Sequence, residues 1–229
     1  MRFALLHSPL TSALIWRGVA DALARRGRSA FCIKLPEPQH LHPPYWLVHA
    51  ATAAEALPEE GSVTLVAHSG AGVLLPAIAR FAANRERSAH VERLVFVDCD
   101  LPRDGCSRFD LMTPDDAARM KAQCKDGWML RWTDVALEPV IPDRTMRAAF
   151  VAELPQVPSA MYEEAIAVPD GWSATPVSYL SLSRFYPEAV RAAEQNGWGV
   201  RKVEGANHLT PYTDPERIAT ELETLVRTE

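Results

Sequence analysis

Val63-Thr64-Leu65-Val66-Ala67-His68-Ser69-Gly70-Ala71-Gly72-Val73-Leu74-Leu75 is the stretch that decides the fold. Val63 to Ala67 is a continuous apolar run, the mark of a strand covered on both faces. A helix opens near Ala71, so the residues between must turn the chain sharply. A serine in such a turn is held with its Oγ clear of the sheet, and small neighbours let the backbone fold that tightly. The usual spacing is G-x-S-x-G; here Ala67 and Ala71 fill the glycine places, with Gly70 and Gly72 beside them. A phosphate-binding loop would also suit a strand–helix turn. It would need a G-x-G-x-x-G run or a Lys-Ser/Thr pair, and neither is present. Ser69 is therefore the candidate nucleophile.

Outward from this segment, short apolar runs alternate with amphipathic helices. Strands are expected at Phe3–His7, Ala30–Leu35 and Leu94–Val97, and helices at Leu14–Arg26 and about Trp46–Ala56. Strand, helix, strand at this spacing makes an α/β protein with a mostly parallel central sheet and helices on both faces. From about 101 to 176 the alternation stops. That stretch holds eight of the 18 prolines and three of the six tryptophans, with short helices expected at Pro114–Lys125 and Asp143–Leu154. Alternation resumes with a strand at Val177–Leu182, a helix at Pro187–Asn196, a strand at Val200–Val203 and a helix at Pro215–Arg227. The 229 residues thus read as one domain with a helical cap inserted over the carboxyl ends of the strands, where ligands bind in this architecture. Pro76 lies early in the helix after the serine and is expected to remove one hydrogen bond there.

Composition limits the partners. The net charge is −5, and the one basic run, Arg25-Arg26-Gly27-Arg28, reads as the solvated end of a helix at a glycine stop. A nucleic-acid partner is not expected. Nor is a membrane: no run approaches the ~18 apolar residues a span needs. The N-terminus reads as a strand, not a leader. Four cysteines, Cys32, Cys99, Cys106 and Cys124, lack paired spacing, so a reduced, cytoplasmic protein, monomer or homodimer, is expected. His40-x-His42 with His49 has no carboxylate placed to complete a metal site and reads as a proline-rich loop. No metal or cofactor is expected.

A serine nucleophile needs a base. His208, in Gly205-Ala206-Asn207-His208-Leu209-Thr210-Pro211, follows the last strand and precedes the last helix, which puts it on the same rim of the sheet as Ser69.

With these pieces the chain resembles the α/β-hydrolase superfamily over nearly its whole length, most closely the small-cap branch of esterases and hydroxynitrile lyases. Leu5-Leu6-His7-Ser8-Pro9, the turn at Ser69, Phe96-Val97-Asp98 and Gly205-Ala206-Asn207-His208 carry the likeness. It implies the α/β-hydrolase fold, a serine–histidine–acid triad and a pocket beneath the cap. The acid often follows the strand after the cap, but no aspartate stands there, and Arg184 lies near that place. Asp98 ends the strand before the cap after four apolar residues; a carboxylate buried there wants a partner such as a histidine N–H. It is the first candidate, with Asp100 and Glu188 as alternatives. One oxyanion donor is then the backbone N–H of Gly70. The second should come from the loop after the first strand, where Pro9 has no N–H, so Leu10 or a neighbour must donate or the hole has one donor fewer. The cap tryptophans, with Met112, Met120, Met129, Met146 and Met161, are expected to build its underside, packed on each other or on a ligand, and Trp128 and Trp132 are the ones expected against a small-molecule substrate. Hydrolysis of an ester, thioester or lactone is the leading expectation. A lyase or cyclising acyl-transferase on the same three residues, or a ligand-binding protein without turnover, are the alternatives.

Overall fold

The computed structural model describes residues 1–85 and 89–227. Six strands, β1 (Arg2–Leu6), β2 (Ser29–Ile33), β3 (Ser62–His68), β4 (His90–Val97), β5 (Val177–Ser181) and β6 (Gly199–Lys202), form one sheet in the order β2-β1-β3-β4-β5-β6. Every neighbouring pair is parallel. The mostly parallel α/β sheet expected from the alternation, with its helical cap, is the one observed, and it agrees with the α/β-hydrolase fold that the resemblance implies.

Successive side chains of a strand point to opposite faces, and both faces here are apolar. Phe3 and Leu5 of β1, Val66 of β3 and Val95 and Val97 of β4 enter one core with Ile15, Trp16 and Val19 of helix α1 (Leu14–Arg25). Ala4, Leu6, Leu65, Ala67, Leu94 and Phe96 enter the other, against Ala50 and Ala53 of α2 (Tyr45–Glu55) and Leu75 and Ile78 of α3 (Leu75–Ala83). Helix α4 (Pro187–Gln195) joins this second core through Ala189, Val190 and Ala193; α5 (Pro215–Arg227) joins the first through Ile218, Leu222 and Leu225. The basic run is not merely solvated. Arg25 and Arg26 pair with Glu216, and Arg28 pairs with Glu223 at 2.6 Å, clamping the end of α1 to α5.

The turn after β3 departs from expectation in one respect. A 3₁₀ helix runs from Ser69 to Leu74, and α3 starts only at Leu75. Pro76 therefore sits in the first turn of α3, the part of a helix where proline is best tolerated, and not in its interior. Strand β4 also begins earlier than the Leu94–Val97 run, because His90 is exposed, the next three residues are only partly buried, and the four lack a two-faced apolar signature. Between β4 and β5 lie five short α-helices, 108–111, 114–122, 134–137, 144–152 and 160–163, and no strand.

The order of strands places the site. The chain leaves β1 for β2 on one side, then returns past β1 to β3, so connections diverge between the adjacent carboxyl ends of β1 and β3. A crevice opens at such a divergence. His7-Ser8-Pro9-Leu10 leaves one end and Ser69 leaves the other.

Candidate active site

Ser69 has φ 57, a left-handed conformation that a residue with a Cβ rarely adopts. Such strain costs on the order of 1–3 kcal/mol and persists only where the surroundings impose it. Here those surroundings are tight. A Cβ on Gly72 would fall 2.5 Å from the Cys99 sulfur, so this glycine lets the turn press against the end of β4. A Cβ on Gly70 would stand 3.0 Å from the Tyr162 hydroxyl and 3.4 Å from Ser8 Oγ. Alanine suffices at 67 and 71, both fully buried, because the close approaches fall at 70 and 72 instead.

Ser69, His208 and Asp98 are brought together. His208 Nε2 lies 3.0 Å from Ser69 Oγ, and His208 Nδ1 lies 2.7 Å from Asp98 Oδ2. Asp98 is fully buried and, like Ser69, takes a left-handed backbone conformation, φ 47. Its carboxylate also accepts from the N–H groups of Leu182 and Ser183 at 2.9 and 2.8 Å and from the Ser183 hydroxyl at 2.7 Å. Burial pushes its pKa up, but the His208, Ser183 and Leu182 hydrogen bonds outweigh that and hold it below the ordinary carboxylate value. An ionised carboxylate only accepts, so the imidazole carries its hydrogen on Nδ1 and leaves Nε2 bare for the Ser69 hydroxyl.

The alternative acids stand elsewhere. Glu188 lies in the first turn of α4, its side chain 73% exposed and paired with Arg191 at 2.6 Å. Asp100 lines the cavity at Ser69, and burial, with a smaller contribution from Asp116, raises its pKa to about 7. It is Asp98, not Asp100, that His208 Nδ1 meets.

Several supporting side chains are not evident from motifs. His68, fully buried, donates from Nε2 to the His208 carbonyl at 2.9 Å, and its ring lies 4.4 Å from the His208 ring. Burial and then the adjacent His208 push its pKa down to about 3, so it remains a neutral brace. His7 donates from Nδ1 to the Ser8 carbonyl at 2.8 Å and accepts from Leu35 N–H at Nε2, which fixes the loop after β1. Arg108 comes from the cap. Its Nε donates to the Gly70 carbonyl at 2.9 Å, its Nη1 to the Met161 carbonyl at 3.1 Å, and its guanidinium lies 5.5 Å from the Tyr162 ring centre. A capping box of Ser107 and Asp110 starts the helix that carries it, an S-x-x-D signal visible in the sequence.

A cavity of about 220 Å³ opens over Ser69, walled by Leu10, Val73, Leu111, Met112, Met120 and Trp132, with Asp100, Arg108, Tyr162, Tyr186 and His208 supplying polar groups. A wider hollow of about 710 Å³ shares Trp132, Phe185 and His208 with it but does not reach Ser69. Gly70 N–H belongs to the first turn of the 3₁₀ helix, where backbone donors lack intrahelical partners. Leu10 N–H is turned back onto Ser8 Oγ at 3.2 Å, so the donor expected for a second oxyanion bond is already engaged. Trp128 also departs from expectation. Asp126 and Gly127, at φ 51 and 82, form a tight two-residue turn closed by mutual Lys125–Trp128 backbone bonds, and Trp128 is left 37% exposed, outside the cavity lining. Trp172 packs on Phe96 and Trp198, in the core that α3 also enters and outside the cavity lining. His49 is a core histidine, its Nε2 donating to the Pro36 carbonyl at 3.0 Å, while His40 is exposed beside Glu37. Among the described residues no three His, Cys, Asp or Glu side chains gather as a metal would require.

A model of the alpha/beta hydrolase family matches residues 3–221. The chain belongs to that family. No curated protein matches it. Solved structures of the same fold include an extracellular α/β-hydrolase from a Paenibacillus species, described as sharing structural and functional homology with tobacco salicylic acid binding protein 2; it is 17% identical, with 98% of each chain covered and a TM-score of 0.75. Tomato methylketone synthase I, solved as a variant with β-ketoheptanoate, is 14% identical over 99% of this chain and 97% of its own, with a TM-score of 0.75. A methylesterase from Arabidopsis is 13% identical over the full length of both chains, with a TM-score of 0.68. At such identities these proteins share the fold, and the chemistry must be argued from the side chains. No helix among the described residues is long and apolar enough to cross a membrane.

Proposed function

We propose that this α/β-hydrolase is a cofactor-independent serine esterase, thioesterase or lactonase acting on a small apolar substrate, with residues 1–229 as one catalytic domain and the segment at about 101–176 as its cap. The observation that carries the reading is the unbroken line of hydrogen bonds from Ser69 through His208 to Asp98, at 3.0 and 2.7 Å, ending in a buried carboxylate with three further donors.

Ser69 Oγ attacks the acyl carbon while its proton passes to His208 Nε2. Asp98 holds the imidazole in the accepting tautomer and stabilises the imidazolium that forms. The C=O electron pair moves to oxygen, for which the Gly70 N–H, free of an intrahelical partner, is the backbone donor. His208 returns the proton to the leaving oxygen or sulfur, the acyl group remains on Ser69, and water admitted along the same path releases it. The 220 Å³ cavity is smaller than the ~300–1,000 Å³ of sites for drug-sized ligands. Its aliphatic, methionine and Trp132 walls suit a short acyl or aryl group.

A panel of esters, thioesters and lactones with graded acyl length tests the substrate class. The proposal expects turnover to be best for short uncharged acyl groups, with free acid as the product. Turnover yielding an aldehyde or ketone, or a cyclised product, instead of an acid would assign lyase or acyl-transfer chemistry to the same residues. Binding without any turnover would leave a ligand carrier.

A further inference from the structure

Two polar residues of the Ser69 cavity have bonding capacity that the fold leaves unused. Arg108 is 3% exposed, yet among the described residues no carboxylate forms an ion pair with it. Glu164, the acid whose field it feels, already accepts from the Tyr45 and Trp46 N–H groups. Arg108 Nε and Nη1 donate to the Gly70 and Met161 carbonyls at 2.9 and 3.1 Å, while buried Nη2 has no partner. In a planar guanidinium Nε–H and one Nη2–H leave along the same edge. The Gly70 carbonyl at Nε therefore fixes the direction of Nη2, toward the turn that carries Ser69, where Arg108 lines the cavity. Asp100 stands against the same turn two residues further on, its carbonyl 3.2 Å from where a Cβ on Gly72 would lie. It too lines the cavity, and no described residue donates to its carboxylate. We infer that the Ser69 cavity is built for a hydroxyacyl substrate, whose hydroxyl accepts from Arg108 Nη2 and donates to Asp100.

The choice of group follows from what each alternative would meet. A purely apolar acyl chain would leave both the donor and the acceptor unmet, and buried polar groups without partners are costly. A carboxylate on the chain would suit Arg108 but lie in the same cavity of about 220 Å³ as Asp100. An ammonium would suit Asp100 but face Arg108. A ketone or ether oxygen only accepts, which leaves Asp100 unmet. A hydroxyl gives one hydrogen and accepts another, and it brings no charge into the cavity. No ion pair joins Asp100 to Arg108 directly, so the two do not satisfy each other. The remaining carbons of a short acyl group then lie on Val73, Leu111, Met112 and Met120, the apolar part of the same wall.

This inference rests on the esterase reading and names its substrate, and the experiment separates the two. The p-nitrophenyl esters of butyrate, 2-hydroxybutyrate and 3-hydroxybutyrate are compared on wild type, Asp100→Leu and Arg108→Met, each rate taken relative to spontaneous hydrolysis of the same ester. Wild type is expected to favour one hydroxy ester over butyrate by about 10–10²-fold in kcat/KM. Each substitution should bring that ratio close to one, since the hydroxyl then lacks its acceptor or its donor. A merely structural defect would lower the rates on all three esters together and leave the ratio where it was. Butyrate turned over by wild type as well as both hydroxy esters, or a hydroxyl preference that survives either substitution, overturns the inference and leaves the esterase reading in place. A wild-type protein with no turnover of any ester overturns both. Should Arg108→Met not fold, Asp100→Leu decides alone: a lost preference supports the inference and a retained one overturns it.

Discussion

Asp98→Asn is expected to lower kcat by about 10⁴-fold while leaving KM nearly unchanged. The reason lies in which oxygen meets which donor. Oδ1 accepts from the backbone N–H groups of Leu182 and Ser183, and Oδ2 accepts from Ser183 Oγ and His208 Nδ1. In an asparagine the amide oxygen stays with the two backbone donors, which cannot turn away. The NH₂ then occupies the Oδ2 position and faces Nδ1. Two donors cannot share that contact, so the imidazole takes the tautomer with hydrogen on Nε2, which cannot accept the Ser69 proton. Packing hardly changes, so Tm should move far less than activity. Steady-state kinetics on one ester checks this. A rate close to wild type would pass the role to another carboxylate, Asp100 being the one at the cavity.

Acid should destabilise the fold well before carboxylates titrate in bulk. His7, His49 and His68 are all buried, and burial lowers the pKa of each, to about 4 for His49 and about 3 for His68. In the unfolded chain each returns to its ordinary value near 6.5. Above that pH neither state binds the proton and the full stability is present. As pH falls below 6.5 the unfolded chain gains protons that the folded one refuses, so stability is lost until the folded pKa is reached. For His49 alone the loss between pH 7 and pH 5 is about 2 kcal/mol, a large share of the 5–15 kcal/mol typical of a domain. His7 and His68 add in the same direction, while Asp100, its pKa raised by burial to about 7, takes up its proton in the folded state and offsets part of the loss. Urea midpoints at pH 7 and pH 5 measure the sum. A clear drop at pH 5 is predicted, and equal midpoints would contradict neutral burial of these rings.

How much of this was legible in the sequence depends on whether the deciding contact is local. Both-face burial of β1, β3 and β4 is written in their own side chains, as is the sharp turn at Ser69. Asp98 was legible as a carboxylate at the end of an apolar strand, which needs a partner. Ser183 was not. It reads as one more polar residue after a strand, and only the pairing of β5 beside β4 sets its hydroxyl on Asp98. His68 lies inside the motif, yet its link to the His208 carbonyl spans 140 residues. Arg108 belongs to a cap with weak periodicity, and its tie to Gly70 spans 38. Trp128 and Trp132 look alike by composition. The turn at Asp126-Gly127 leaves one exposed, while the other reaches the cavity.

The central claim, that Ser69 is an activated nucleophile, is tested most directly by intact-protein mass spectrometry after reaction with a fluorophosphonate, followed by peptide mapping. The account predicts one adduct on wild type, mapped to Ser69, and none on Ser69→Ala. An unlabelled wild-type protein, or an adduct that survives Ser69→Ala, would contradict it.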